Sequence, residues 1–117
     1  MSKAGKKLGQ LGEDIAVSYL TNQGYKILER NYYTRYGEID IICMQGKIIV
    51  FVEVRTKSSL NYGSPEESIT PRKIEHLRKA ALIYLGAFHL SYEEIRFDVI
   101  AIMLADNARI NHIPNAF

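Results

Sequence analysis

Two apolar runs joined by a short turn constrain this chain more than anything else in it: Gly37-Glu38-Ile39-Asp40-Ile41-Ile42 and Ile48-Ile49-Val50-Phe51-Val52-Glu53-Val54-Arg55-Thr56-Lys57. Both are rich in β-branched and aromatic residues, and Met44-Gln45-Gly46-Lys47 supplies the turn, so together they predict a β-hairpin. With Gln45 and Gly46 as the turn residues, Cys43 lies opposite Ile48, Asp40 opposite Phe51 and Glu38 opposite Glu53. Side chains on a strand alternate faces with period two. One face then carries Ile39, Ile41, Cys43, Val50, Val52 and Val54, all suited to a core. The other carries Glu38, Asp40, Ile42, Ile49, Phe51, Glu53, Arg55 and Lys57. Acids are gathered on one face of strands that are apolar enough to be central.

Like charges facing one another weaken a sheet, and side chains paired this way come within roughly 5–8 Å. Carboxylates are also rarely buried without a partner. The cluster therefore needs a cation. Arg55 and Lys57 supply it in one reading, a salt-bridged strand face; a divalent metal supplies it in the other. Residue pattern leaves both open.

The run Gly37-Glu38-Ile39-Asp40 followed by Val50-Phe51-Val52-Glu53-Val54-Arg55-Thr56-Lys57 resembles the core of the YraN-like proteins. These are small, functionally uncharacterised bacterial proteins placed in the PD-(D/E)XK nuclease superfamily, near the archaeal Holliday-junction resolvases. Gly12-Glu13 followed by Ala16, and the late Arg96-Phe97-Asp98-Val99, extend the resemblance over nearly the whole chain. It implies a restriction-endonuclease-like fold and a metal-dependent endonuclease acting on DNA, with branched or junction DNA among its substrates. In that reading Asp40 and Glu53 hold Mg²⁺ or Mn²⁺, Glu13 assists from the first helix, and Arg55 and Lys57 complete the catalytic set. The chain departs from the superfamily pattern in two places. Ile39 stands where the superfamily name has proline, and Arg55 stands where it has lysine. Arginine binds phosphate bidentately but is a poor general base; Lys57, two positions on and on the same face, can reach back. Arg55 favours an alternative, a nuclease-like fold that binds nucleic acid without cutting it. A third reading is an interaction protein whose acids and bases are only ion-paired. Resolvase relatives act as dimers, which implies a homodimer by analogy alone.

A chain of 117 residues is one domain, 1–117. With 47% hydrophobic and 24% charged residues it is globular rather than disordered. No apolar run reaches the ~18–20 residues of a membrane span. The basic start, Met1 to Lys7, has no apolar segment behind it of the kind a secretory signal needs. The cytoplasm is the expected compartment. A single cysteine, Cys43, excludes an internal disulfide and a multi-cysteine zinc site, and reads as a small core residue. The net charge of +2 says little about nucleic acid, but its distribution says more. Lys3, Lys6 and Lys7 cluster at the start, Arg55 and Lys57 on the hairpin, and Arg72, Lys73, Arg78 and Lys79 on a later helix. Such patches suit phosphate contacts, for which Lys6, Lys7, Arg55, Lys57, Arg72 and Lys73 are the candidates.

Along the chain, the spacing of Leu8, Leu11, Ile15 and Tyr19 predicts a helix from about Lys7 to Asn22, stopped near Gly24. Glu13 lies on the flank of its apolar stripe and Asp14 faces solvent. Tyr25 to Thr34 reads as a strand, after which Tyr32, Tyr33 and Tyr36 crowd the approach to Gly37. They are either stacking groups for unpaired bases or lids over the core. Ser58 to Ile69 reads as a long loop, mobile or functional. Thr70 and Pro71 open a second helix that runs to about Leu85 and closes at Gly86, with Lys73 and His76 on its outward side. Ile95 to Leu104 is an interior strand holding Asp98, read as a hydrogen-bond or ion-pair partner, and Arg109 to Ile113 is a last short strand. The order α-β-β-β-α-β-β is an α/β domain, a mixed sheet flanked by helices.

Overall fold

The structure is a computed structural model describing residues 3–58, 69–104 and 107–117, with side chains from residue 7 onward. Its elements are α1 (Lys3–Asn22), β1 (Lys26–Thr34), β2 (Gly37–Gln45), β3 (Ile48–Lys57), α2 (Pro71–Ala87), β4 (Glu94–Met103) and β5 (Arg109–Ile113). The expected order is therefore the observed one. The five strands lie in chain order in a single sheet, antiparallel throughout except for the parallel pair β3–β4. That parallel pair needs a crossover, and α2 lies between its strands in sequence. The expected loop Ser58 to Ile69 falls almost wholly outside the described residues.

Each helix covers one face of the sheet. Ala16 and Leu20 of α1 pack on Ile41, Cys43, Val50, Val52, Ile100 and Ile102. Leu77, Ala80, Ala81 and Tyr84 of α2 pack on Ile39, Ile42, Ile49 and Phe51. Residues 49–53 of β3 are buried without interruption, as a strand covered on both faces requires. Cys43 is a buried free thiol in this core.

The hairpin register differs from the expected one. Gln45 pairs with Ile48 and Cys43 with Val50, so the turn residues are Gly46 and Lys47. Gly46 has φ +59°, which suits the first position of a type II′ turn, the geometry that follows strand twist. Each partner moves by two residues, so the faces stay as expected while Asp40 comes level with Glu53 instead of Phe51. One residue departs further: Ile39 packs with Ile42 and Phe51 on the α2 side, not with Ile41 and Cys43. Alternation breaks just where the β2–β3 pairs end, at Ile41 and Val52.

Helix α2 starts as expected, with the Thr70 hydroxyl accepting from the Lys73 N–H at 3.2 Å and Pro71 at its first position. It does not close at Gly86. Phe88 caps it in extended backbone and stacks on Tyr84 at 4.7 Å, so aromatic packing sets the end.

Gly12 fixes how closely α1 approaches the sheet. A Cβ there would lie 1.8 Å from the Thr56 hydroxyl oxygen and 2.9 Å from the Thr56 Cβ. Gly12→Ala is expected to destabilise the fold by about 1–3 kcal/mol, the usual cost of overpacking. Denaturant unfolding of the variant checks it; an unchanged midpoint would mean the helix has slack to move.

Candidate functional site

Beyond Ile41 the side chain of Asp40 takes over from the β2–β3 ladder: its Oδ2 accepts the backbone N–H of Val54 at 2.8 Å. The Glu53 carboxyl, 4% exposed, stands close enough to that of Asp40 for each to shift the other's pKa. Glu13 reaches the same place from α1 because its neighbour Gly12 lets the helix touch β3. One oxygen from each of Glu13, Glu38 and Asp40 lies within 4.8 Å of the others. The carboxyls of Glu13, Glu38, Asp40 and Glu53, from α1, β2 and β3, thus line one cleft, bordered also by Asp14, Arg30, Tyr33, Arg55 and Lys57.

All four acids are held above their ordinary pKa. Burial is the main cause for Glu13, Glu38 and Asp40, and Asp40 adds to it for the two glutamates. Glu53 is pushed up to about 8 by burial and then by Asp40. Cations are near but none is in hydrogen-bonding contact. Arg55 Nε lies 3.6 Å from Glu53 Oε1, Lys73 Nζ 3.6 Å from Glu53 Oε2, and Arg30 Nη2 3.7 Å from Glu13 Oε1. Charge-assisted pairs in contact sit near ~2.8 Å. Accordingly Glu13 Oε1, Glu53 Oε2 and Arg55 Nε are buried with no hydrogen-bond partner. An all-oxygen donor set with orphaned carboxylate atoms fits a hard divalent cation such as Mg²⁺ or Mn²⁺.

A pH dependence follows. A carboxyl whose folded pKa is raised stabilises the fold below its unfolded value of roughly 4.3. That contribution is lost as pH rises through the folded pKa, about 8 for Glu53. The metal-free protein is therefore expected to melt at progressively lower temperature from about pH 5 to pH 8. Mn²⁺ should raise the melting temperature more at pH 8 than at pH 5, because it binds the ionised acids. A Mn²⁺ effect equal at both pH values would contradict a carboxylate site.

The expected residues are distributed as follows. Glu13, Asp40, Glu53, Arg55 and Lys57 all border the cleft. Asp14 is exposed as expected, and is bonded to Arg30 at 2.7 Å. Lys7 and Arg72 are exposed and do not border the cleft, and the Lys6 side chain lies outside the described residues. Lys73 does not face outward as expected: it is half-buried and paired with Glu53. By sequence, Glu38 belongs to the acid cluster without being named a metal ligand, and Lys73 is named as a phosphate contact, not as a counter-charge to Glu53. The signal for Lys73 was its position four residues before Leu77 and seven before Ala80, on the inward stripe of α2.

A second polar cluster contrasts with the first. Asp98 is fully buried, gripped by Arg96 through Nε and Nη2 at 2.8 Å each, by His112 Nε2 at 2.7 Å and by the Asn115 N–H at 3.0 Å. Tyr19 OH in turn meets His112 Nδ1 at 3.0 Å, and Arg96 donates to Tyr25 OH at 2.8 Å. The β4–β5 pairing brings His112 to Asp98, fourteen residues away in sequence. Every Asp98 oxygen is satisfied, and burial holds the Tyr19 hydroxyl above its ordinary pKa, so no activated nucleophile results. This cluster is a structural tie between α1, β4 and the C-terminal segment.

The profile of the uncharacterised protein family UPF0102 matches residues 12–102. The chain belongs to that family. UPF0102 proteins from Syntrophomonas wolfei, Persephonella marina and Dictyoglomus turgidum are respectively 53%, 50% and 43% identical to it. They cover 96%, 93% and 96% of this chain, and the matches span 98%, 91% and 98% of their own lengths. The YraN-like resemblance read from the motifs is thus borne out at the level of the family. The UPF0102 segment holds the four acids, Arg55 and Lys73, but ends before His112. No helix among the described residues is long and apolar enough to cross a membrane.

Proposed function

We propose that this UPF0102 chain is a metal-dependent endonuclease that hydrolyses phosphodiester bonds in DNA, branched or junction DNA included. One observation supports the reading above the others. Four acids converge on one cleft, all with raised pKa values, while their nearest cations stop at 3.6–3.7 Å. A structural cluster in the same molecule closes its ion pair at 2.8 Å. The cleft instead leaves acceptor oxygens open for a ligand.

Asp40 and Glu53 hold the divalent cation in this reading, with Glu13 and Glu38 completing the oxygen set. That cation supplies a nucleophilic water at neutral pH and charge compensation at the phosphoryl oxygens. The Val54 N–H fixes Asp40 Oδ2, so the carboxylate needs no reorganisation. Arg55 meets the non-bridging oxygens as negative charge grows in the transition state. Lys73 backs Glu53 from the α2 side and keeps it oriented. Lys57, Lys7 and Arg72 contact the flanking phosphates, which makes binding salt-dependent.

Arg55 supports a second reading, a module that binds nucleic acid without cleaving it, because arginine replaces the lysine of the superfamily pattern. The test is a panel of duplex, single-stranded and branched DNA incubated with Mg²⁺ or Mn²⁺. Cleavage of any member supports the endonuclease; binding without cleavage across the panel selects the module.

A further inference from the structure

We infer that Tyr33 is a stacking platform for one unpaired nucleobase at the rim of the acidic cleft, an inference that rests on the nucleic-acid function proposed above. The three tyrosines near the end of β1 have different environments. Tyr32 is a core lid, edge-on to Tyr84 at 5.2 Å. Tyr36 is occupied by cations, with Arg35 at 5.0 Å and Lys79 at 5.2 Å from its ring centre. Tyr33 is 75% exposed, the most exposed large hydrophobic side chain among the described residues.

Its place is fixed. Tyr33 pairs with Glu38 in the β1–β2 register, so the two side chains leave the sheet side by side, and the tyrosine ring stands beside the acid cluster while most of it meets solvent. It borders the same cleft as Asp40 and Glu53, and Arg30, Arg55 and Lys57 border it too. A strand whose phosphates follow those cations would pass the ring one side chain away from the acids. A base inside a duplex is stacked on both sides and has no face to offer, whereas an unpaired base does. The substrate class is therefore DNA with an unpaired nucleotide beside the scissile phosphate, as at a flap, a fork or the centre of a junction.

The experiment measures binding in EDTA, where nothing is cut, with 2-aminopurine placed in a single strand or at a fork, and with a fully paired duplex for comparison. Stacking on an aromatic ring is worth ~1–3 kcal/mol per base, so Tyr33→Leu should weaken single-strand and fork binding by about 5- to 150-fold. It should also abolish the fluorescence quenching that stacking causes, leave duplex binding unchanged, and be rescued by Tyr33→Trp. Equal losses on duplex and single strand, or no loss, would overturn the platform. No DNA binding by the wild type would overturn both the platform and the nuclease reading. Tyr33-dependent quenching in a protein that cuts nothing with Mn²⁺ would support the platform while ending the nuclease reading alone.

Discussion

Glu53→Gln is expected to lose at least ~10²-fold in metal-dependent cleavage, the scale seen when transition-state charge stabilisation is removed, while the fold becomes no less stable. The two halves of that expectation come from the same environment. Glu53 is 4% exposed beside Asp40, and its pKa of about 8 shows how strongly the folded state resists its charge. Glutamine keeps the shape and removes the repulsion, so at pH 8 the variant should melt at or above the wild-type temperature. It also removes a ligand charge, so the Mn²⁺-induced rise in melting temperature should shrink. Loss of activity with gain of stability is the signature of a functional rather than a structural acid. Asp40→Asn should behave alike in activity. Arg55→Lys should keep or raise cleavage and Arg55→Ala should lose it, since only the latter removes the charge facing the phosphoryl group. Cleavage persisting in Glu53→Gln would mark a contaminant and remove the basis for the enzyme.

Why some of this was legible in the sequence, and some not, follows from what each pattern encodes. Period-two alternation put Asp40, Glu53 and Arg55 on one face, and all three border one cleft, although alternation itself breaks between Ile39 and Ile41, around Asp40. It does not fix register: pairings two residues apart share the same faces, and only the preference of Gly46 for the first turn position separates them. Ile39 escaped because alternation fails where pairing to β3 ends, a boundary that depends on Asp40 capping the Val54 N–H. Glu13 was legible through the resemblance; the physical reason it reaches the cleft is Gly12 against Thr56, a contact between elements that no helical period reports. Lys73 was misplaced because charge was taken to outrank position on the α2 stripe. A lysine on an inward stripe is a signal in its own right, as its side chain must end on an acid.

Asp98→Ala should be the most destabilising single change in the second cluster, by about 3–5 kcal/mol, the range for breaking a buried ion pair by removing one partner. Arg96 and His112 would both lose their acceptor, and Asn115 its anchor. For a domain of this size that corresponds to a fall in melting temperature of about 10–20 °C. The pH dependence runs opposite to that of the cleft. Burial acts to raise the Asp98 pKa, but the hydrogen bonds from Arg96, His112 and Asn115 outweigh it and hold the carboxyl below its ordinary range. Its contribution is therefore complete above the unfolded carboxyl pKa and is lost as pH falls through the lowered folded value. Wild type and Asp98→Ala should thus converge in stability under strong acid and diverge towards neutrality. Metal separates the two clusters. Mn²⁺ should raise the melting temperature of Asp98→Ala as much as it raises that of the wild type, because the tie at β4 and β5 has no ligand to gain. A variant that lost its Mn²⁺ response while remaining folded would mean that Asp98 belongs to the metal site, and that the division between a structural and a functional carboxylate cluster is wrong.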